Sequence, residues 1–231
     1  MNNKSLKARA RNNLAGNWGL SVGVALLASM LGGIAYSSSF NVNLDAEYLQ
    51  ELPPVVLAIL ASIVSFSGTL NFVHFILGGT VNLGYTRYLL DQHDGNELAC
   101  RTLFSQFDRF AQGFLQRFLR NLYIFLWGLL FIIPGIIKTY SYAMTPYIMA
   151  DHPEMTAKEA ITASKEMMDG HKGELFCLHF SFFGWMVLCI FTLGIGNLFL
   201  TPYMNAAEAA FYRQLTCSAS HSYAAQYIEY E

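Results

Sequence analysis

The sequence predicts an all-α protein, a polytopic transmembrane helix bundle of about six spans with amphipathic cytoplasmic helices, in one domain over residues 1–231. Three observations predict it. Charged residues make up 13% of the chain and hydrophobic residues 54%, whereas a soluble domain carries about 25% charged residues. The charges are also segregated: 12–44, 52–86, 121–137, 139–150 and 175–207 contain no Asp, Glu, Lys or Arg. A spanning helix needs roughly 20 mostly apolar residues, and three of these stretches are well beyond that. When the stretches are threaded alternately across a bilayer, the basic residues gather on one side, as short cytoplasmic loops require.

The first segment carries Lys4, Lys7, Arg9 and Arg11 and belongs inside. The first span follows over 17–36. Ala35-Tyr36-Ser37 after this run also fits a signal-peptide cleavage site, but signal cores are about 7–15 residues and this run is about 20. An uncleaved span is the reading adopted. Residues 37–51 hold three acids and no basic residue, which suits an outer loop. As a single helix, 52–86 would run about 52 Å, against a hydrocarbon core of about 30 Å. Two spans would place Arg87, Arg101, Arg109, Arg117 and Arg120 outside, so one span near Val55–Ile76 is expected, with 78–90 continuing along the inner surface.

Phe104, Phe107, Ala111, Phe114 and Phe118 recur at helical spacing. They predict an interfacial helix that becomes the third span, with Arg117 and Arg120 snorkelling to the inner headgroups. Pro134-Gly135 should end that span. A short return over 136–150 is required to keep Lys158, Lys165 and Lys172 inside, with a re-entrant hairpin as the alternative. Thr156 and Glu159 form a capping-box pattern, and Gly170 is a natural stop, which predicts a cytoplasmic helix over 156–170. Gly194-Ile195-Gly196 divides the last block into spans near 174–193 and 197–215. Of the 14 basic residues, Lys138 alone falls outside.

Three side chains form a candidate intramembrane polar site: Glu208, His179 and Lys138. Glu208 lies about 16 Å into the last span counted from Asn197. It is read either as a proton- or cation-binding carboxylate near His179, or as an interfacial acid paired with Arg213. Lys138 marks an outer mouth for an anionic group or snorkels from the short fourth helix. Asn71, His74 and Asn205 suit interhelical hydrogen bonding. Gly19 and Gly23, with Gly16, Gly32 and Gly33, suit close helix packing within one chain or between two. Thr-Pro-Tyr occurs twice, at 145–147 and 201–203.

Other chemistry is not signalled. No nucleophile elbow, zinc-protease, phosphate-loop or dinucleotide motif is present. No catalytic residue, cofactor or metal site is therefore expected. The four cysteines lack CxxC spacing and are read as reduced thiols. A net charge of −2 gives no electrostatic reason for a nucleic-acid partner.

Several blocks resemble a bacterial multi-pass membrane family, domain of unknown function 975. They are KARARNNLAGNWG at 7–19, LWGLLFIIPGIIKTYSYAMTPYIMAD at 126–151, EAITASKEMMDG at 159–170, LFCLHFSFFGW at 175–185, and the stretch 192–215 with TLGIGNLFLTPY and FYRQL. The resemblance implies an integral membrane protein and carries no activity, substrate or site residue. A looser similarity to the membrane part of some glycerophosphodiesterases transfers no chemistry. The expected function is a non-enzymatic accessory or scaffold protein of the cell envelope. It would sit in the cell membrane with both termini cytoplasmic, its partners the lipid bilayer and a membrane protein or a second copy. The alternative is a small transporter or lipid-handling protein; a membrane-embedded enzyme ranks third.

Overall fold

A computed structural model of the chain describes residues 3–33, 53–192 and 196–228. The described residues form helices joined by turns and short irregular segments, and the all-α class is correct. The predicted outer loop and the Ala35-Tyr36-Ser37 site lie outside them, as do Gly194 and Ile195 of the expected break.

Helix α1, Asn3–Leu14, buries Leu6, Ala10 and Leu14, one stripe at steps of four. The stripe packs on the last helix, so the expected cytoplasmic tail is a docked element. Lys7 Nζ donates to the Ser181 carbonyl at 2.8 Å and lies 4.0 Å over the Phe182 ring. Helix α2, Trp18–Met30, turns Ser21, Val24, Ala25 and Ala28 inward, and Leu26, Leu27 and Met30 outward. It ends at Gly32, whose φ of 75° is open to glycine at little cost.

Helix α3, Pro54–Asp94, is 41 residues long, about 60 Å at 1.5 Å per residue. Proline opens it, where a missing N–H costs nothing, and left-handed Gly95 closes it. The expected span and inner-surface segment are thus one continuous helix. Its second half buries Val81, Leu83, Tyr85, Tyr88 and Leu90. Two tight turns follow, Cys100–Phe104 and Phe107–Arg109, before α4, Phe110–Leu130. The phenylalanine periodicity was expected to lie on one helix; the chain instead breaks at Ser105 and Gln106. The fully buried Leu103 is drawn onto α3, where a Cβ on Gly84 would overlap its carbonyl.

Phe131 is extended, and α5, Ile132–Ser141, turns back along α4. Pro134 falls in the first turn of α5 rather than ending α4, since the opening N–H groups of a helix need no partner within it. A Cβ on Gly135 would stand 2.9 Å from Gly128 Cα, so the two helices meet backbone to backbone. The expected return over 136–150 is divided between α5 and α6, Thr145–Asp151. Helix α7, Ala157–Met167, has the capping box in full: Thr156 accepts from the Glu159 N–H, and Glu159 from the Thr156 N–H. It buries Ala157, Ala160, Ile161 and Ser164, and Gly170 has a φ of 77°.

Hydrogen bonds from Thr156 hold the exposed Glu159 carboxyl below its usual range. A depressed folded-state pKa gives stability that is present above the unfolded value and lost as pH falls through the folded one. Thr156→Ala is expected to cost about 1 kcal/mol at neutral pH. It should lessen that acid-side loss only in part, since the Thr156 backbone N–H still donates to Glu159, and thermal unfolding of the purified chain across pH 3–7 reads both.

The expected fifth span is broken at Ser181 and Phe182 into α8, Lys172–Phe180, and α9, Phe183–Phe191. Helix α10, Asn197–Ile228, runs past the expected end of the sixth span and contains Pro202. Among the described residues, no helix is long and apolar enough to cross a membrane. The six-span division therefore does not appear as six spanning helices: turns near residues 131, 142 and 181 cut charge-free sequence into shorter pieces.

The core is formed by α1, the second half of α3, α6, α7 and α10, with Tyr88, Phe182, Phe211 and Tyr212 among its largest buried side chains. Elsewhere many large apolar side chains are exposed. Around the α4–α5 turn, Phe125, Leu129, Leu130, Phe131 and Ile133 are 63–76% exposed. Phe180, Phe183, Trp185 and Leu188 continue this character on α8 and α9.

Candidate functional site

Glu208 is carried by α10, His179 by the last turn of α8, and Tyr147 by α6. Glu208 lies one turn beyond Met204 on the face of α10 that includes the buried Ala207 and Phe211. That face turns the carboxylate toward α6 and α8. His179 Nε2 donates to Glu208 Oε1 at 2.7 Å, and Tyr147 Oη donates to Oε2 at 3.3 Å. Both carboxylate oxygens are therefore engaged. The His179 and Glu208 side chains are 27% and 23% exposed, so the pair is neither sealed nor open. A histidine hydrogen-bonded to a carboxylate can hold one proton between two sites, and Tyr147 fixes the carboxylate's second oxygen.

The polar contacts continue. Tyr147 stacks on Tyr212, with ring centroids 5.6 Å apart. Tyr212 Oη donates to Asp151 Oδ2 at 3.1 Å. Arg213 bridges Asp151, at the end of α6, to Asp94, at the end of α3. Arg87 joins from α3, 3.2 Å from Asp91 and 3.9 Å from Asp151. A ladder of side chains thus runs from His179 through Glu208, Tyr147, Tyr212 and Asp151 to Arg213 and Asp94. Arg213 pairs with these aspartates and not with Glu208.

Lys138 is not part of this site. It lies on α5 with its ammonium 4.7 Å over the Trp127 ring of α4, a cation–π contact across the hairpin. Asn205 donates to Tyr85 Oη at 3.2 Å, the interhelical bond expected of it. The glycines divide. A Cβ on Gly16, Gly19 or Gly23 would meet nothing within 4 Å among the described residues, so these three do not mark a packed contact there. Gly32 and Gly33 do, against His74 and Val81 of α3.

Tyr147, Tyr212, Asp151 and Asp94 were missed by sequence reasoning. One signal pointed to the first of them, the repeated Thr-Pro-Tyr. Its two tyrosines tie separate elements: Tyr147 to Glu208, and Tyr203 to the Lys7 carbonyl at 3.3 Å. Glu208→Gln keeps the volume and one acceptor but removes the charge facing His179. It is expected to cost about 1 kcal/mol, below the roughly 1.5–3 kcal/mol of a buried hydrogen bond to a charged group because the pair is partly exposed. A thermal-unfolding midpoint unchanged within a degree would remove the pair from the stabilising contacts.

Fold and site together define an all-α bundle organised about a ladder of buried and half-buried polar side chains. Residues 129–219 match a family described as Protein of unknown function (DUF975). This is the family that the quoted blocks resemble. The match includes His179, Tyr147, Asp151, Glu208 and Arg213, whereas the 7–19 block lies outside it. No curated protein and no solved structure matches the chain.

Proposed function

We propose that the chain is a membrane-embedded helical protein of the cell envelope, with both ends cytoplasmic, acting as a non-enzymatic accessory or scaffold. The observation that carries this reading is the exposed apolar surface at the α4–α5 turn and along α8–α9. Soluble monomers rarely leave contiguous apolar patches beyond a few hundred Å² in water. Each buried Leu or Phe is worth about 1.5–3 kcal/mol relative to exposure. A bilayer removes that cost, and the charge-free first half of α3 supports the same placement. The charged ladder end at Asp94, Asp151 and Arg213, with the capped helix α7, then forms the cytoplasmic working surface. Its partner is a membrane protein or a second copy of the chain.

Alkaline carbonate extraction of membranes from expressing cells tests the placement. Retention in the pellet is expected. Release into the supernatant as a monodisperse protein without detergent would overturn it.

A second reading, a small transporter or lipid-handling protein, draws on the meeting of Glu208, His179 and Tyr147. Native mass spectrometry of wild type and Glu208→Gln in mild detergent separates the two. A protein partner or second copy retained by both forms supports the scaffold. A lipid or solute lost only from the variant supports the alternative.

A further inference from the structure

We propose that the chain binds a phosphate group in a pocket between the end of α2, the middle of α3 and α4. The cavity is about 90 Å³ and is lined by Gly33, Asn82, Gln116, Arg117, Arg120 and Asn121. Water takes up about 30 Å³ per molecule in the liquid, so the space suits a small oxyanion.

Two lining groups are accounted for by the fold. Arg117 donates to the Gly32 carbonyl at 2.6 Å, and Asn82 to the Gly33 carbonyl at 2.9 Å. They cap the open carbonyls at the end of α2, a usual duty for such donors. Arg120 and Gln116 have no such duty. Gln116 is 1% exposed and lines the cavity beside Arg120. The Arg120 Nε is enclosed and has no hydrogen-bond partner among the described residues. An enclosed charged donor left unpaired is destabilising, and an anionic acceptor in the cavity would relieve it.

The charge balance points to an anion. Two guanidinium groups face the cavity, and its lining includes no carboxylate. Glu208 acts on Arg120 from α10, but beyond ion-pair distance, and both its oxygens are engaged by His179 and Tyr147. Planar guanidinium forks match phosphate oxygens better than an ammonium does. Gln116 and Asn121 supply amide donors beside them. Arg117 and Arg120, expected to reach the inner headgroups, both line this partly open pocket. The chemistry recognised is a phosphate monoester or diester, supplied by a lipid headgroup or free in solution.

The test uses the full chain in a nonionic detergent, with thermal unfolding followed against inorganic phosphate and against a short-chain phosphatidylglycerol. A saturable rise in the midpoint is expected with at least one probe. It should weaken at least tenfold in Arg120→Gln and persist in Arg101→Gln, which changes an exposed arginine outside the pocket. A response to the lipid alone assigns a headgroup, and a response to inorganic phosphate assigns the free anion. Gln116→Leu, which keeps the buried volume, should weaken the same response and serves if Arg120→Gln does not fold. The proposal is overturned by no saturable response in wild type, or by equal responses in wild type and the pocket variants. Neither result bears on membrane placement, which carbonate extraction decides separately.

Discussion

Gly113→Val is expected to destabilise the chain by about 3 kcal/mol or prevent its folding, as read by thermal unfolding or loss of a monodisperse peak in detergent. At this point α3 and α4 cross backbone to backbone, with the Thr80 hydroxyl beside the contact. A Cβ on Gly113 would stand 2.9 Å from Thr80 Cα and 3.0 Å from its nitrogen. Gly79 stands in the reciprocal position, where a Cβ would overlap the Gly113 carbonyl. Those neighbours are backbone in the middle of helices, so they cannot rotate away as a side-chain tip can. Overpacking usually costs 1–3 kcal/mol, and moving a whole helix puts this case at the upper end. Gly23→Ala is the contrast. Nothing described lies within 4 Å of its added carbon, so alanine should be neutral or stabilise by up to about 1 kcal/mol through helix propensity. Equal effects from the two substitutions would contradict the crossing.

Arg213→Ala should cost about 2–3 kcal/mol, and Arg213→Lys most of that. The guanidinium joins carboxylates at the ends of two different helices, Asp94 of α3 and Asp151 of α6. Its removal leaves these acids near each other, with Arg87 and Tyr212 still on Asp151 and His93 beside Asp94. Breaking a buried pair costs about 3–5 kcal/mol. Here the arginine side chain is 20% exposed and Asp94 35%, and solvent screening lowers the figure. Lysine keeps the charge but lacks the planar fork needed to hold two partners at once. A double-mutant cycle with Asp94→Ala should return a coupling above about 1 kcal/mol. A coupling near zero would reduce the bridge to a surface contact.

What was readable in the sequence was local. The capping box at Thr156 and Glu159 needs three intervening residues and no knowledge of the remainder, and it formed as expected. The all-α class followed from composition and charge-free runs. Glu208 and His179 were singled out by depth along their helices, a one-dimensional quantity, and they do meet. The rest depended on distances between remote positions. Leu6, Ala10 and Leu14 form a stripe, but their covering surface lies some two hundred residues away. Gly113 has no special local pattern, and its role is set by Gly79 on another helix. Arg117 and Arg120 obeyed charge arithmetic that is silent on whether a long side chain turns toward the surface or the interior. Continuous α3 runs against a bilayer-length criterion: about 52 Å for 52–86 argues for a shorter span, whereas the helix is unbroken for 41 residues.

The docking of α1 on α10 also has a consequence for biogenesis. Lys7 reaches Ser181, and Tyr203 reaches the Lys7 carbonyl, so the first described helix completes its contacts with segments made 174 and 196 residues later. At a synthesis rate of about 5–20 residues per second, Leu6, Ala10 and Leu14 wait on the order of ten seconds or more before their covering surface emerges. During that interval the apolar stripe needs a temporary host, and a nascent chain arrested before α10 would present it to whatever surface or chaperone lies nearest.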